Sequence, residues 1–122
     1  MLPHVVDLSQ TSDAKTSRRL ADIPNCVVEG DPHQDIWVHS TSPDGKLTVG
    51  VWTSTPGKWH AFAGKDEYCY IVSGRCALIH EDGTRQEFTA GGSFFIPDGF
   101  KGFWEVLETT TKHFVIRDTS YQ

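Results

Sequence analysis

No run of eighteen apolar residues occurs anywhere in the 122-residue chain, so a membrane-spanning helix is not expected. Basic residues are scarce as well: eleven Lys and Arg stand against sixteen Asp and Glu, and Arg18 and Arg19 form the only adjacent basic pair. A net charge of −5 without a basic cluster lacks the electrostatic footprint for a phosphate backbone, which argues against a nucleic-acid partner. The three cysteines, Cys26, Cys69 and Cys76, cannot all pair within one chain, and their spacings match no zinc motif. A reduced, cytoplasmic protein is the simplest expectation. The opening Met-Leu-Pro-His-Val-Val-Asp has no basic n-region, and Pro3, His4 and Asp7 interrupt its apolar residues, unlike a secretory signal.

Helical periodicity is also missing. Residues 1–24 are mostly polar, and 11–22 has room for one short helix at most, capped by Ser12 or Asp13. This stretch reads as a peripheral N-terminal arm, leaving 25–122 as a single domain. Beyond Pro24, β-branched and aromatic residues gather in short runs separated by Gly, Pro, Asn and Asp. Asp44-Gly45, Asp82-Gly83 and Asp98-Gly99 each place glycine where a tight turn needs positive φ. Between these turns, strands are predicted near 26–30, 36–40, 46–54, 58–63, 67–73, 75–81, 85–89, 93–97, 102–108 and 112–118. Short strands at such intervals predict an all-β sandwich or barrel.

Two motifs carry a more specific resemblance. Glu67 is followed seven residues later by Gly74, and Gly91 is followed by Pro97 and Gly99 in a Gly-x5-Pro-x-Gly pattern. Both spacings resemble those of cupins. Gly50-Val51-Trp52, Pro56-Gly57, Asp66-Glu67, the Asp82-Gly83 hairpin and Trp104 followed by Lys112 are similar to the (S)-ureidoglycine aminohydrolase cupin domain. The resemblance implies a double-stranded β-helix, or jelly-roll barrel, with a pocket at its mouth, commonly in a dimer. A homodimer built partly by the N-terminal region is also expected because the apolar strands at 26–40 would leave a long sheet edge to cover.

Metal-binding cupins supply three His and one Glu. Here the second-motif His position is Gly102. In the first motif one gap length puts Ala61 and Ala63 at the His positions, and the other puts His60 and Phe62 there. No cofactor is therefore expected; the alternative is a divalent Mn, Zn, Ni or Fe held by His60 and Glu67 alone.

Strand alternation places Glu67, Cys69 and Ile71 on one face, opposite Tyr68, Tyr70 and Val72, and turns Trp104 and Val106 inward with Gly102. The predicted pocket comprises Glu67 as general acid or base, with Trp52, His60, Cys69, Trp104 and Lys112 contacting a small molecule. A buried Glu67 has its pKa raised unless Lys112 or a hydrogen-bond donor compensates. Two functions remain open on this reading: an enzyme acting on a small nitrogenous or carboxylated metabolite, or a non-catalytic small-molecule-binding or accessory protein.

Overall fold

Alternation of apolar and polar side chains through the middle of the chain builds two long strands, and the rest of the fold hangs on them. The computed structural model describes residues 3–10 and 12–120. Among these the strands are β1 (Lys15–Arg19), β2 (Val27–Gly30), β3 (His33–Thr41), β4 (Leu47–Ser54), β5 (Gly57–His60), β6 (Lys65–His80), β7 (Arg85–Thr89), β8 (Ser93–Ile96) and β9 (Gly102–Asp118). The sole helical element described is a single 3-10 turn at Leu20–Asp22. The chain is all-β, as its sequence predicts.

β6 and β9 pair antiparallel from Lys65 opposite Asp118 to His80 opposite Gly102. Four segments of strand were expected where these two run. They stay continuous because bulges around Ser73 and Arg75 let each strand bend while keeping its partner. The bend divides the sheet. The first half of β6 lies between β8 and the end of β9, and its second half lies between β7 and the start of β9. On its other side β9 pairs with β4 through its last part and with β5 through its first, so the sheet curls around its own inner face.

The N-terminal segment departs from expectation. Instead of a short helix, residues 15–19 pair antiparallel with β3, from Lys15 opposite Trp37 to Arg19 opposite His33. Leu20, next in the chain, is fully buried in the core. Ser12 anchors the approach by donating from its Oγ to the Val38 carbonyl at 2.7 Å, while Thr11, where the predicted helix would begin, lies outside the described residues. β1 thus covers in cis the edge of β3 that the sequence reading assigned to a second chain.

The core gathers Trp52, Trp59 and Trp104 with Cys69, Ile71, Leu78, Val106 and Phe114. All three cysteines are buried free thiols. No helix among the described residues is long and apolar enough to cross a membrane.

Gly74 sits at the bend with φ of 95°, and a Cβ there would run into the Thr109 carbonyl oxygen and approach Thr110 Cα. Gly83 has a similar φ of 93° but open space around it. Gly83→Ala should therefore cost about 1 kcal/mol from backbone strain alone, and Gly74→Ala about 3 kcal/mol from strain plus overpacking. Urea denaturation of the two variants checks this; equal losses would mean that the close approach at the bend carries no energetic weight.

Candidate functional site

The inner face of the curled sheet closes around a cavity of about 230 Å³. Its walls are largely apolar, with Ile36 and Val38 from β3, Ile96 from β8, and Phe114 and Ile116 from β9. Three cations and a single carboxylate interrupt this lining: Arg18, Lys65, Lys112 and Glu67.

Register explains how the deepest of these groups meet. In an antiparallel pair, residues directly opposite point to the same side of the sheet. Lys112 lies opposite Trp52 on one neighbour and Ile71 on the other, while Trp104 lies opposite Trp59. The lysine side chain then runs along the inner face past Cys69 to Glu67. Its Nζ donates to Glu67 Oε2 at 2.7 Å and to Cys69 Sγ at 3.5 Å. The same ammonium lies 4.4 Å from the Trp52 ring centroid and 4.2 Å from that of Trp104. Trp59 backs Trp104 with nearly parallel rings, 8° apart and 6.1 Å between centroids. Cation and carboxylate are almost sealed, at 3% and 4% exposure.

Charge in such a place must be balanced nearby, and here the balance is local. Burial pushes the Glu67 carboxyl up, but the Lys112 and Lys65 ammonium groups and the Lys112 hydrogen bond outweigh it and bring the pKa down to about 2. Lys65 contributes from 3.4 Å at Oε1. Burial likewise acts to lower the Lys112 pKa, and the facing Cys69 and Glu67 outweigh it, holding the ammonium above the ordinary lysine range. The Cys69 thiol is pushed up to about 12, chiefly by burial, so it stays protonated and un-nucleophilic near neutral pH. The compensation by Lys112 that the sequence reading held open is the outcome found, and Glu67 is a carboxylate with no raised pKa.

Of the residues singled out from sequence, Glu67, Trp52, Trp104 and Lys112 come together on the cavity. His60 does not. It is exposed, on the opposite face of β5 from the buried Trp59, with its ring 4.9 Å from Phe103. Alternation in β5 is the reason: one residue of register separates a side chain in the barrel from one outside it. Cys69 is fully buried and does not line the cavity; its Sγ accepts from Lys112 Nζ.

Among the lining residues that went unforeseen, Trp59, Lys65 and Arg18 bear most on the chemistry of the site. Lys65 follows from alternation with Glu67, whereas Trp59 is turned inward by its pairing with Trp104. Arg18 had no local signal, because its position depends on β1 pairing with β3. Its Nε donates to Gln34 Oε1 at 2.9 Å, and its Cζ lies 5.3 Å from the Phe62 ring centroid.

The donor set does not fit a divalent metal. Glu67 is the sole His, Cys, Asp or Glu side chain on the cavity, and no group of three or more such residues able to hold a metal occurs among the described residues. A histidine cannot be restored at Gly102 without displacement, since any Cβ there would run into the Ile79 carbonyl oxygen and crowd the Phe100 ring.

The family model for the EutQ-like cupin domain matches residues 41–114, more than half of the chain and the stretch that supplies most of the site. The chain belongs to the EutQ-like cupin family. This cupin is similar in structure to a putative ethanolamine utilization protein Q from Salmonella typhimurium, with 20% identity, 70% of each chain covered and a TM-score of 0.62. It is also similar to the EutQ protein of Clostridium difficile, with 19% identity, 97% of this chain and 83% of that one covered, and a TM-score of 0.64. A protein of unknown function from Pseudomonas syringae pv. tomato aligns at 19% identity over 93% of this chain and 44% of its own, with a TM-score of 0.70. No curated protein matches this cupin.

Removing one partner of the buried pair strands the other. Lys112→Met should destabilise the cupin by about 3–5 kcal/mol, and adding Glu67→Gln to that variant should recover much of the loss. Because the folded-state pKa of Glu67 lies below its ordinary 4.5, its contribution is full above about pH 4.5 and is lost as pH falls toward about 2. That contribution is on the order of 3 kcal/mol. Urea midpoints measured across this window should fall steeply for the wild type, and a Glu67→Gln variant with the same acid profile would contradict the assignment.

Proposed function

We propose that this cupin is a metal-independent binding protein for a small organic molecule, held in the cavity against the Trp52 and Trp104 wall. The observation that carries this reading is the position of Lys112. Its ammonium already supplies the positive charge that the first-motif carboxylate, Glu67, requires, so the site is electrostatically complete without an added cation. A remaining carboxylate with no imidazole beside it is a poor competitor for Mn, Fe, Ni or Zn.

The narrower likeness of the sequence to (S)-ureidoglycine aminohydrolase domains supplies the alternative, an enzyme on a nitrogenous or carboxylated metabolite with Glu67 as its base. The electrostatics favour binding over that chemistry. A carboxylate held at about 2 has little affinity for a proton near neutral pH, and its lysine partner is held above the ordinary range. Neither is poised for general acid–base work, and the Cys69 thiol stays protonated.

Elemental analysis of protein purified without chelator should find well under one transition metal per chain, unchanged in His60→Ala. Near one metal per chain, lost in Glu67→Gln, would overturn the metal-independent reading.

A further inference from the structure

Building on that binding reading, we propose that Arg18 selects the ligand and that the ligand is a small, singly charged carboxylate with a compact apolar body. The three cations on the cavity are not equivalent. Lys112 is engaged with Glu67 Oε2 behind the tryptophans, and Lys65 stands 3.4 Å from Glu67 Oε1. Arg18 makes no ion pair with a carboxylate among the described residues; its contacts there are Gln34 through Nε and the face of Phe62.

Those two contacts fix the guanidinium without using its far end. Gln34 is itself buried at 2% exposure, with its amide nitrogen 3.5 Å from Ser54 Oγ, so the acceptor that receives Nε is held in place. Phe62 packs beside the group, its ring centroid 5.3 Å from Cζ. The two terminal nitrogens are left as a forked pair of donors on the cavity, the arrangement that matches the two oxygens of a carboxylate.

The remainder of the lining describes the rest of the ligand. Ile36, Val38, Ile96, Phe114 and Ile116 offer no polar side-chain partner and suit an apolar body. A cavity of about 150 Å³ accepts benzene, so one of about 230 Å³ has room for a single ring or short branched chain with its head group. With Lys112 and Lys65 both engaged with Glu67, Arg18 is the one cation of the three on this cavity without a carboxylate partner among the described residues, which suits a ligand with a single negative charge.

Isothermal titration of the full chain with benzoate, benzamide and phenyl phosphate tests the proposal. Benzoate should bind at least about tenfold more tightly than benzamide, its uncharged isostere. Arg18→Met should weaken benzoate by about 10–100-fold, the range for a lost charge-assisted hydrogen bond, and weaken benzamide by clearly less. Arg18→Lys should fall between, since it keeps the charge and loses the fork. Arg18 also satisfies the buried Gln34 amide oxygen, so each variant is titrated only after its urea midpoint shows it folded. Benzoate and benzamide binding equally, with Arg18→Met indifferent, would overturn the carboxylate assignment while leaving the binding reading standing. Tighter binding of phenyl phosphate than benzoate would overturn the single charge. No binding by any of the three would overturn the binding reading and this inference together.

Discussion

A lysine ammonium enclosed by two indole rings and one carboxylate is the constraint around which the interior of this cupin is arranged. Taking two charges out of water is costly, and their mutual attraction repays it only when geometry and remaining hydrogen-bond needs are met. Here Lys112 finds Glu67 at 2.7 Å, the Cys69 sulfur, and the faces of Trp52 and Trp104, so its donors all point at electron density. No buried side-chain nitrogen or oxygen is left without a partner among the described residues. The tryptophans do two jobs at once: they fill the volume between the halves of the curled sheet, and they solvate a cation without water.

That arrangement also decides what the barrel can do. A cation supplied by the chain itself keeps Glu67 ionised instead of leaving it as a proton donor. The remaining charge on the cavity then resides with Arg18, which has no carboxylate partner among the described residues. Chemistry in the metal-binding members of the wider fold depends on donors that this chain does not have: Gly102 admits no side chain, and β5 turns His60 outward.

Much of this was legible in the sequence, for identifiable reasons. Alternation through Glu67, Cys69 and Ile71 is strict, so the inward face of β6 follows from residue spacing alone, and Trp104 follows from Gly102 by the same period. Asp44-Gly45 and Asp82-Gly83 announced their hairpins, and Asp98-Gly99 a turn between two strands that each pair with β6. What failed did so where local pattern is silent. His60 and Trp59 are adjacent, and the choice of which points inward is fixed by the pairing of Trp59 with Trp104, forty-five residues away. The polar run 15–19 carries no apolar alternation, because one side of β1 is bare to solvent and its place in the sheet comes from hydrogen bonds to β3. Arg18 was therefore invisible as a site residue until the pairing placed it beside Gln34 and Phe62. The bends in β6 and β9 read as strand breaks because glycine and threonine at a bulge look the same in sequence as glycine and threonine in a turn.

The account rests on Lys112 being a buried ammonium bound to Glu67, and nitrogen-detected NMR of the labelled protein observes that group directly. The Lys112 Nζ resonance should be that of a protonated, slowly exchanging ammonium. Its neighbouring methylene protons should be shifted upfield by the Trp52 and Trp104 rings, and the charge should persist above the ordinary lysine value of 10.5. Both the slow exchange and the raised titration should disappear in Glu67→Gln. A neutral amine at pH 7, or a lysine that titrates and exchanges as an exposed one does whether or not Glu67 is present, would contradict the central claim.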